Sequence, residues 1–304
     1  MNAPHPLHAL VGESEIMARL RARIRHYARV DAPVLIQGPT GTGKELAARA
    51  LHRLAGEGRP FVAVNCANLP PSLATAQLFG TEPGGFTGAV RRRGCIREAA
   101  GGTLFLDEIA DLPPEVQGGL LRALEYRTFS PVGGQPIEVA PFRLICASHI
   151  DLQARVREGK FRADLLYRIE GLVLRTPALE THLSDLPALV SAFSAQPGRW
   201  PEATLTALRK RPWPGNVRQL KHQIAAAELE ADFERAGSPV RPRHLPPIAT
   251  TTHSSAKYAG MTLREIKQRA CVDALDHHNG NARAAARALA ISPTTLYQHL
   301  PTAR

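Results

Sequence analysis

The stretch GPTGTGKE, residues 38 to 45, ends a glycine-rich turn on a lysine, and that spacing suits a phosphate ligand. Gly38, Gly41 and Gly43 let backbone N–H groups close around phosphate oxygens, with Pro39, Thr40 and Thr42 between them. Lys44 is then placed to reach the β and γ oxygens of a nucleoside triphosphate. A second cluster, GGTLFLDE, delivers Asp107 and Glu108 at the end of an apolar run. Asp107 there suits Mg2+, held directly or through water, and Glu108 suits a general base acting on an attacking water. Glu45 stands where such loops usually carry a serine or threonine ligand for the metal, so Mg2+ must lean on other groups, Asp107 first. Taken alone, the two carboxylates could simply cap a strand; beside the lysine loop, the chemical reading is the stronger one.

These residues need a rigid frame. PVLIQG, FVAVNC, GTLFLDE and FRLICAS read as strands buried on both faces, alternating with helix-like segments from about Val11 to Thr176. The pattern predicts a parallel α/β sheet. The lysine loop follows one such strand and precedes the helical ELAARALHRL, whose N-terminus favours an anion, and the two carboxylates close another strand at its C-terminal end, where ligands of open sheets bind. After Pro177 the chain reads as helical to residue 234, a separate small subdomain. GSPVRPRHLPPIATTTHSSAK then breaks all periodicity and reads as an extended linker. The expected domains are 1–176, 177–236, a linker over 237–260, and a helical segment over 261–304.

The 304 residues carry 38 Lys+Arg against 27 Asp+Glu, a formal charge of +11, which favours a polyanionic partner such as DNA or nucleotide phosphate. Cys66, Cys95, Cys146 and Cys271 show no C-x-x-C pair, so neither a zinc site nor a disulfide framework is implied. The N-terminal MNAPHPLHALVG lacks a leader pattern and no run of about 18 apolar residues occurs, so a cytoplasmic protein without membrane insertion is expected. Near the C-terminus, NGNARAAARALAISPTTLYQHL reads as helix, tight turn, helix, with Ser292 as N-cap and Pro293 at the first helical position. Thr294, Thr295, Tyr297 and Gln298, with Ser292, are candidates for base or phosphate contacts; a dimerising helical hairpin is the other reading of this segment.

One stretch has no obvious structural purpose. EPGGFTGAV, residues 82 to 90, raises a single aromatic ring on glycines, either as a turn whose Phe86 folds into the core or as a mobile contact loop. The motifs in this order resemble the AAA+ ATPase domain of bacterial enhancer-binding proteins, the activators of sigma-54 RNA polymerase, over roughly residues 8 to 300. The resemblance is strongest to short members without a receiver domain. GGFTGA, comprising Gly84, Gly85, Phe86, Thr87, Gly88 and Ala89, is similar to the loop by which that family contacts sigma-54.

The resemblance implies further roles. Asn65 in VNCANL would hold the catalytic glutamate and couple nucleotide state to the loop. Arg162 and Arg168 in FRADLLYRI would reach the γ-phosphate bound by a neighbouring subunit, and Arg218 in WPGNVRQLKH would touch nucleotide in its own. Ser148 and His149 occupy the first sensor, where the family favours Thr-Asn, so a titratable ring replaces a neutral amide, with slower or pH-dependent hydrolysis as the expected consequence. Gly85 replaces the loop's alanine, and TAQLFGTE and PALETH depart from the family's charged versions. The C-terminal segment resembles a Fis-type helix-turn-helix that places its second helix in the major groove.

The implied activity is that of a hexameric ATPase, using ATP and Mg2+ to remodel the sigma-54 RNA polymerase holoenzyme while bound to upstream enhancer-like DNA. Alternatives are a hydrolysis-poor subunit of a mixed hexamer with a paralogue, or a DNA-binding regulator that does not remodel sigma-54. With no sensing domain before Val11, a trans-acting inhibitor, controlled expression or a partner subunit is expected to supply the signal.

Overall fold

The computed structural model describes residues 6–84, 90–138, 141–247, 262–277, 281–288 and 291–299. The chain divides into a unit over Met1–Pro247 and a second over Ile248–Arg304. Residues 85 to 89 of the GGFTGA stretch lie outside the described residues; Gly84, at their N-terminal side, has φ +91°.

The first unit is built on five parallel strands in the order β2-β5-β8-β1-β9: β1 (Val34–Gln37), β2 (Phe61–Asn65), β5 (Thr103–Asp107), β8 (Arg143–Ser148) and β9 (Leu172–Arg175). Four of the five were legible as apolar runs. The fifth, LVLR, is too short to separate from its surroundings by periodicity. Two small antiparallel ladders stand apart from the sheet, β3 (Gly80–Thr81) with β4 (Arg92–Arg93) and β6 (Thr128–Phe129) with β7 (Ile137–Glu138). The central strands β1, β5 and β8 are buried nearly throughout, because helices cover both faces, whereas β2, expected to be buried on both faces, lies at the sheet edge with only Val64 buried.

Side chains alternate between two cores, as the strand period of two requires. Leu35, Leu104, Leu106, Leu144 and Cys146 join one with α3 (Pro71–Phe79), α5 (Pro114–Glu125) and α7 (Ala163–Ile169). Val34, Ile36, Phe105, Ile145 and Leu174 join the other with α1 (Glu15–Ala28) and α2 (Lys44–Ala55). Between these in the chain come the short helices α4 (Cys95–Glu98) and α6 (Leu152–Arg157).

A third core belongs to the helical lid, α8 (Leu186–Phe193), α9 (Glu202–Arg209) and α10 (Asn216–Glu234), gathered around the buried Trp213. Leu220, Ile224, Ala227 and Ala231 of α10 recur every three or four residues along the buried stripe, the spacing of one helix face. Val240 and Leu245 also join this core. The Val240 backbone is tied to the lid, its N–H donating to Arg199 O (2.7 Å) and its O accepting from the Thr204 hydroxyl (2.7 Å). The reading of an extended linker from residue 237 therefore gives way over 238–246: the prolines exclude a long helix there, but not burial of the two apolar residues between them. Residues 248–261 lie outside the described residues.

The second unit comprises α11 (Leu263–His277), α12 (Ala282–Ala288) and α13 (Pro293–His299). Cys271, Ala285, Ala286 and Leu296 form its small core.

Candidate nucleotide site

The loop of residues 38 to 43 leaves the C-terminal end of β1 and enters α2 at Lys44. Its conformation is enforced from two sides. Gly38 N–H donates to Ser148 O (3.2 Å), tying the loop to β8, and Thr42 Oγ1 lies 2.7 Å from Thr176 Oγ1 just past β9. From the other side the lid clasps it: Arg218 N–H donates to Gly41 O (3.2 Å) and Asn216 Nδ2 to Thr40 O (2.9 Å). Gly41 has φ +80°, and a Cβ there would lie 2.3 Å from Gly215 O. Gly41→Ala is therefore expected to force the loop and lid apart, lowering thermal stability and weakening nucleotide binding at least tenfold; a binding titration with a fluorescent nucleotide, beside a melting curve, checks this.

Lys44 is 7% exposed, and its ammonium donates to Gly38 O (3.1 Å) and Pro39 O (3.4 Å). It lies 3.6 Å from Glu108 Oε1. The structure thus brings the two sequence-predicted clusters together, by placing β1 and β5 on either side of β8 with both C-terminal ends at one edge. Glu108 has left-handed backbone (φ 50°, ψ 51°), which turns the chain sharply after β5. Asp107 Oδ1 accepts from the Glu108 N–H (3.1 Å). Burial, reinforced by the charge of Glu108, raises the Asp107 carboxyl above its ordinary value. A divalent cation would relieve both effects, and the donor set fits one held largely by substrate phosphates and water, as Mg2+ usually is. No cluster of three or more protein ligands that could cage a metal occurs among the described residues. Glu45 forms an exposed i,i+4 pair with Arg49 (2.7 Å).

Other expected residues are placed differently from one another. Asn65 ends β2 directly beside Asp107 in register, and its Oδ1 accepts from Ala67 N–H (3.0 Å), capping a short turn. Asn65 is not bonded to Glu108, which His149 meets: Nδ1 lies 2.6 Å from Glu108 Oε2, with the His149 N–H 3.3 Å from the same oxygen. Ser148 also bonds locally, its Oγ donating to Ile150 O (2.8 Å) and accepting from Ile150 N–H (3.0 Å). Arg162 forms a two-pronged pair with Asp164 (3.0 and 2.7 Å), and Arg168 donates to Leu124 O (3.1 Å). Both arginines are exposed, and neither bonds to the chain's own 38–45 loop among the described residues. Arg218 is exposed beside the loop.

One feature of the site had no sequence signal. Asp185, 2% exposed at the start of the lid, accepts from the N–H groups of Glu13 and Ser14 (both 2.8 Å) and from Ser14 Oγ (2.6 Å), with His182 Nδ1 at 3.1 Å. This pins the segment before α1 to the lid. That segment carries Leu10, whose side chain lies close to Gly43.

In the second unit, Ser292 Oγ accepts from Thr295 N–H (3.1 Å) and lies 2.8 Å from Thr295 Oγ1, forming the N-cap of α13. Those two hydroxyls are thus committed to the helix start, whereas Thr294 and Tyr297 are exposed on it. The side chain of Gln298 lies outside the described residues. No helix among the described residues is long and apolar enough to cross a membrane.

Comparison with known proteins places this geometry. Residues 10–175 match the Sigma-54 interaction domain, and residues 262–300 match the bacterial regulatory protein family of Fis. The chain is 39% identical to the transcriptional regulatory protein ZraR of Salmonella typhimurium, covering 96% of this chain and 68% of that protein. It is 37% identical to the DNA-binding transcriptional regulator NtrC of the same organism, covering 97% and 70% respectively. Among solved structures it is similar to Brucella abortus NtrX in complex with ADP, with a TM-score of 0.73, 32% identity, and coverage of 96% of this chain and 68% of that one. The RuvB branch migration motor of Thermotoga maritima, 18% identical with a TM-score of 0.53, over 97% of this chain and 87% of its own, shares the fold. The chain belongs to the sigma-54-dependent transcriptional activators, with a parallel-sheet AAA+ unit followed by a Fis-type helix-turn-helix.

Proposed function

We propose that the chain hydrolyses ATP and uses the cycle to remodel sigma-54 RNA polymerase at promoters while its C-terminal unit holds upstream DNA. The observation that carries this reading is the meeting of Lys44 and Glu108 at one edge of the sheet, in a domain that matches the Sigma-54 interaction family. The 38–45 loop binds the triphosphate, with Lys44 moving from the loop carbonyls onto the β and γ oxygens. Asp107 would hold Mg2+, which would supply charge neutralisation at the phosphates. Glu108 accepts a proton from the attacking water. Ser148, His149 and Arg218 line the nucleotide, and Asn65 couples its state to the loop.

Arg162 and Arg168 act on nucleotide bound by the adjacent subunit of a hexamer; their exposure, with no bond to their own loop, supports a role in trans. A guanidinium supplied this way accelerates phosphoryl transfer by about 10³ to 10⁵. Gly84 to Ala89 form the contact with sigma-54. The loop's neck is set by the β3–β4 ladder, by Thr81 Oγ1 donating to Val90 O (2.6 Å), and by the Glu82–Arg91 pair (3.0 Å). Thr294 and Tyr297 face DNA, and the excess of basic residues strengthens binding to phosphate. The domains follow the sequence boundaries except that the lid runs on through residue 246.

Phe86→Ala tests the reading. It is expected to abolish promoter opening in a purified transcription assay while ATP hydrolysis stays within about twofold of the parent; full activation by this variant would overturn the assignment of the loop.

A further inference from the structure

Glu108 presents a physical problem that its neighbours solve in an unexpected way. Its side chain is only 17% exposed, and a carboxylate so withdrawn from water needs partners to stay charged. Two groups supply them. Lys44 stands 3.6 Å from Oε1, and His149 meets Oε2 through both its ring (2.6 Å) and its backbone N–H (3.3 Å). The Ser148 hydroxyl is committed to a local turn with Ile150, and Asn65, whose Oδ1 accepts from Ala67 N–H, is not bonded to Glu108. Lys44 is the ligand of phosphate in the reading above, so nucleotide competes with Glu108 for it. The histidine then remains as the group bonded to the glutamate.

We propose that His149 is a positioning residue for Glu108, gripping one carboxylate oxygen through Nδ1–H so that the glutamate stays aimed when Lys44 turns to the phosphates. The inference rests on Glu108 being the water-activating base. An ionised carboxylate only accepts hydrogen bonds, so the ring must carry its proton on Nδ1. The carboxylate thereby fixes the tautomer, as a histidine's hydrogen-bond partner generally does. The ring is itself 39% exposed, in the wall of a cleft of about 730 Å3 that also includes Gln37, Glu170 and Arg175. Removing it therefore disturbs little of the core, which separates a positioning role from a structural one.

The test uses the full chain at a concentration where hydrolysis is saturated with respect to protein. His149→Ala is expected to lower kcat at least tenfold, with a smaller change in KM and an unchanged melting temperature, since a reacting group displaced by about 1 Å can cost about 10² in rate. His149→Asn, whose amide can donate from near the same place, is expected to restore most of the loss. Nitrogen-15 NMR of the histidines is expected to show His149 as the Nδ1–H tautomer, reverting to Nε2–H in Glu108→Ala. Wild-type kcat in His149→Ala, a loss confined to KM, or an Nε2–H tautomer in the parent would each overturn the proposal. Glu108→Gln with undiminished kcat would instead remove the reading on which it rests.

Discussion

Glu108→Gln is expected to lower ATP turnover by about 10² to 10⁴, the usual worth of a positioned general base, while nucleotide still binds. The substitution keeps the size of the side chain and one carbonyl oxygen, so the bond from His149 survives in part. What it removes is the negative charge. Lys44, buried and 3.6 Å from Oε1, then loses its counter-charge and turns more readily to phosphate, so affinity for ATP is expected to be equal or higher. A binding titration set beside a steady-state rate separates these effects. Parallel loss of binding and turnover would show that Glu108 shapes the loop rather than acting on water.

Asp185→Ala is expected to destabilise the first unit by about 1–3 kcal/mol, the cost of leaving a buried polar group's partners without their acceptor, with the part-buried donors of Glu13 and Ser14 regaining some of it from water. Three donors, Glu13 N–H, Ser14 N–H and Ser14 Oγ, are orphaned together, and His182 loses its partner in the same place. The segment carrying Leu10 is released from the lid, so KM for ATP is expected to rise as well. The effect depends on pH with a definite sign. Burial pushes the Asp185 carboxyl up, but its bonds from Ser14, Glu13 and His182 outweigh this and hold it below its ordinary value. The unfolded chain thus binds this proton more readily than the folded one, and stability gained from the charge is full above the ordinary aspartate value of about 4. It fades as pH falls through the lower folded value. The difference in melting temperature between parent and Asp185→Asn is expected to shrink across that acid range; a difference that grows on acidification would contradict the assignment.

The parts of this architecture that could be read in advance are those written in consecutive residues. The strands β1, β5 and β8 announce themselves as apolar runs because both faces of the sheet are covered there, β2 is legible by its Phe and Val although only Val64 is buried, and the loop at 38–45 declares its ligand through three glycines and a lysine. The N-cap at Ser292 is equally local. What escaped reading is long-range. The His149–Glu108 bond joins residues 41 apart, and the Asp185 clasp joins residues 171 and 172 apart, so neither leaves a pattern in any window of sequence. Histidine at position 149 was visible as a departure, but its partner was not. Val240 and Leu245 were hidden among prolines that signal a linker, and only the lid core shows that they are buried. The GGFTGA loop is the reverse case: its residues 85 to 89 are outside the described structure, and its role rests on sequence alone.

If hydrolysis at the 38–45 and 107–108 site drives opening of sigma-54 promoters, open-complex formation by purified chain and sigma-54 holoenzyme on linear promoter DNA, with ATP and with a non-hydrolysable analogue in parallel, measures it most directly. Opening with ATP and none with the analogue is the expected result. Opening of equal extent with both, or none with ATP while the same preparation hydrolyses it, would contradict the claim.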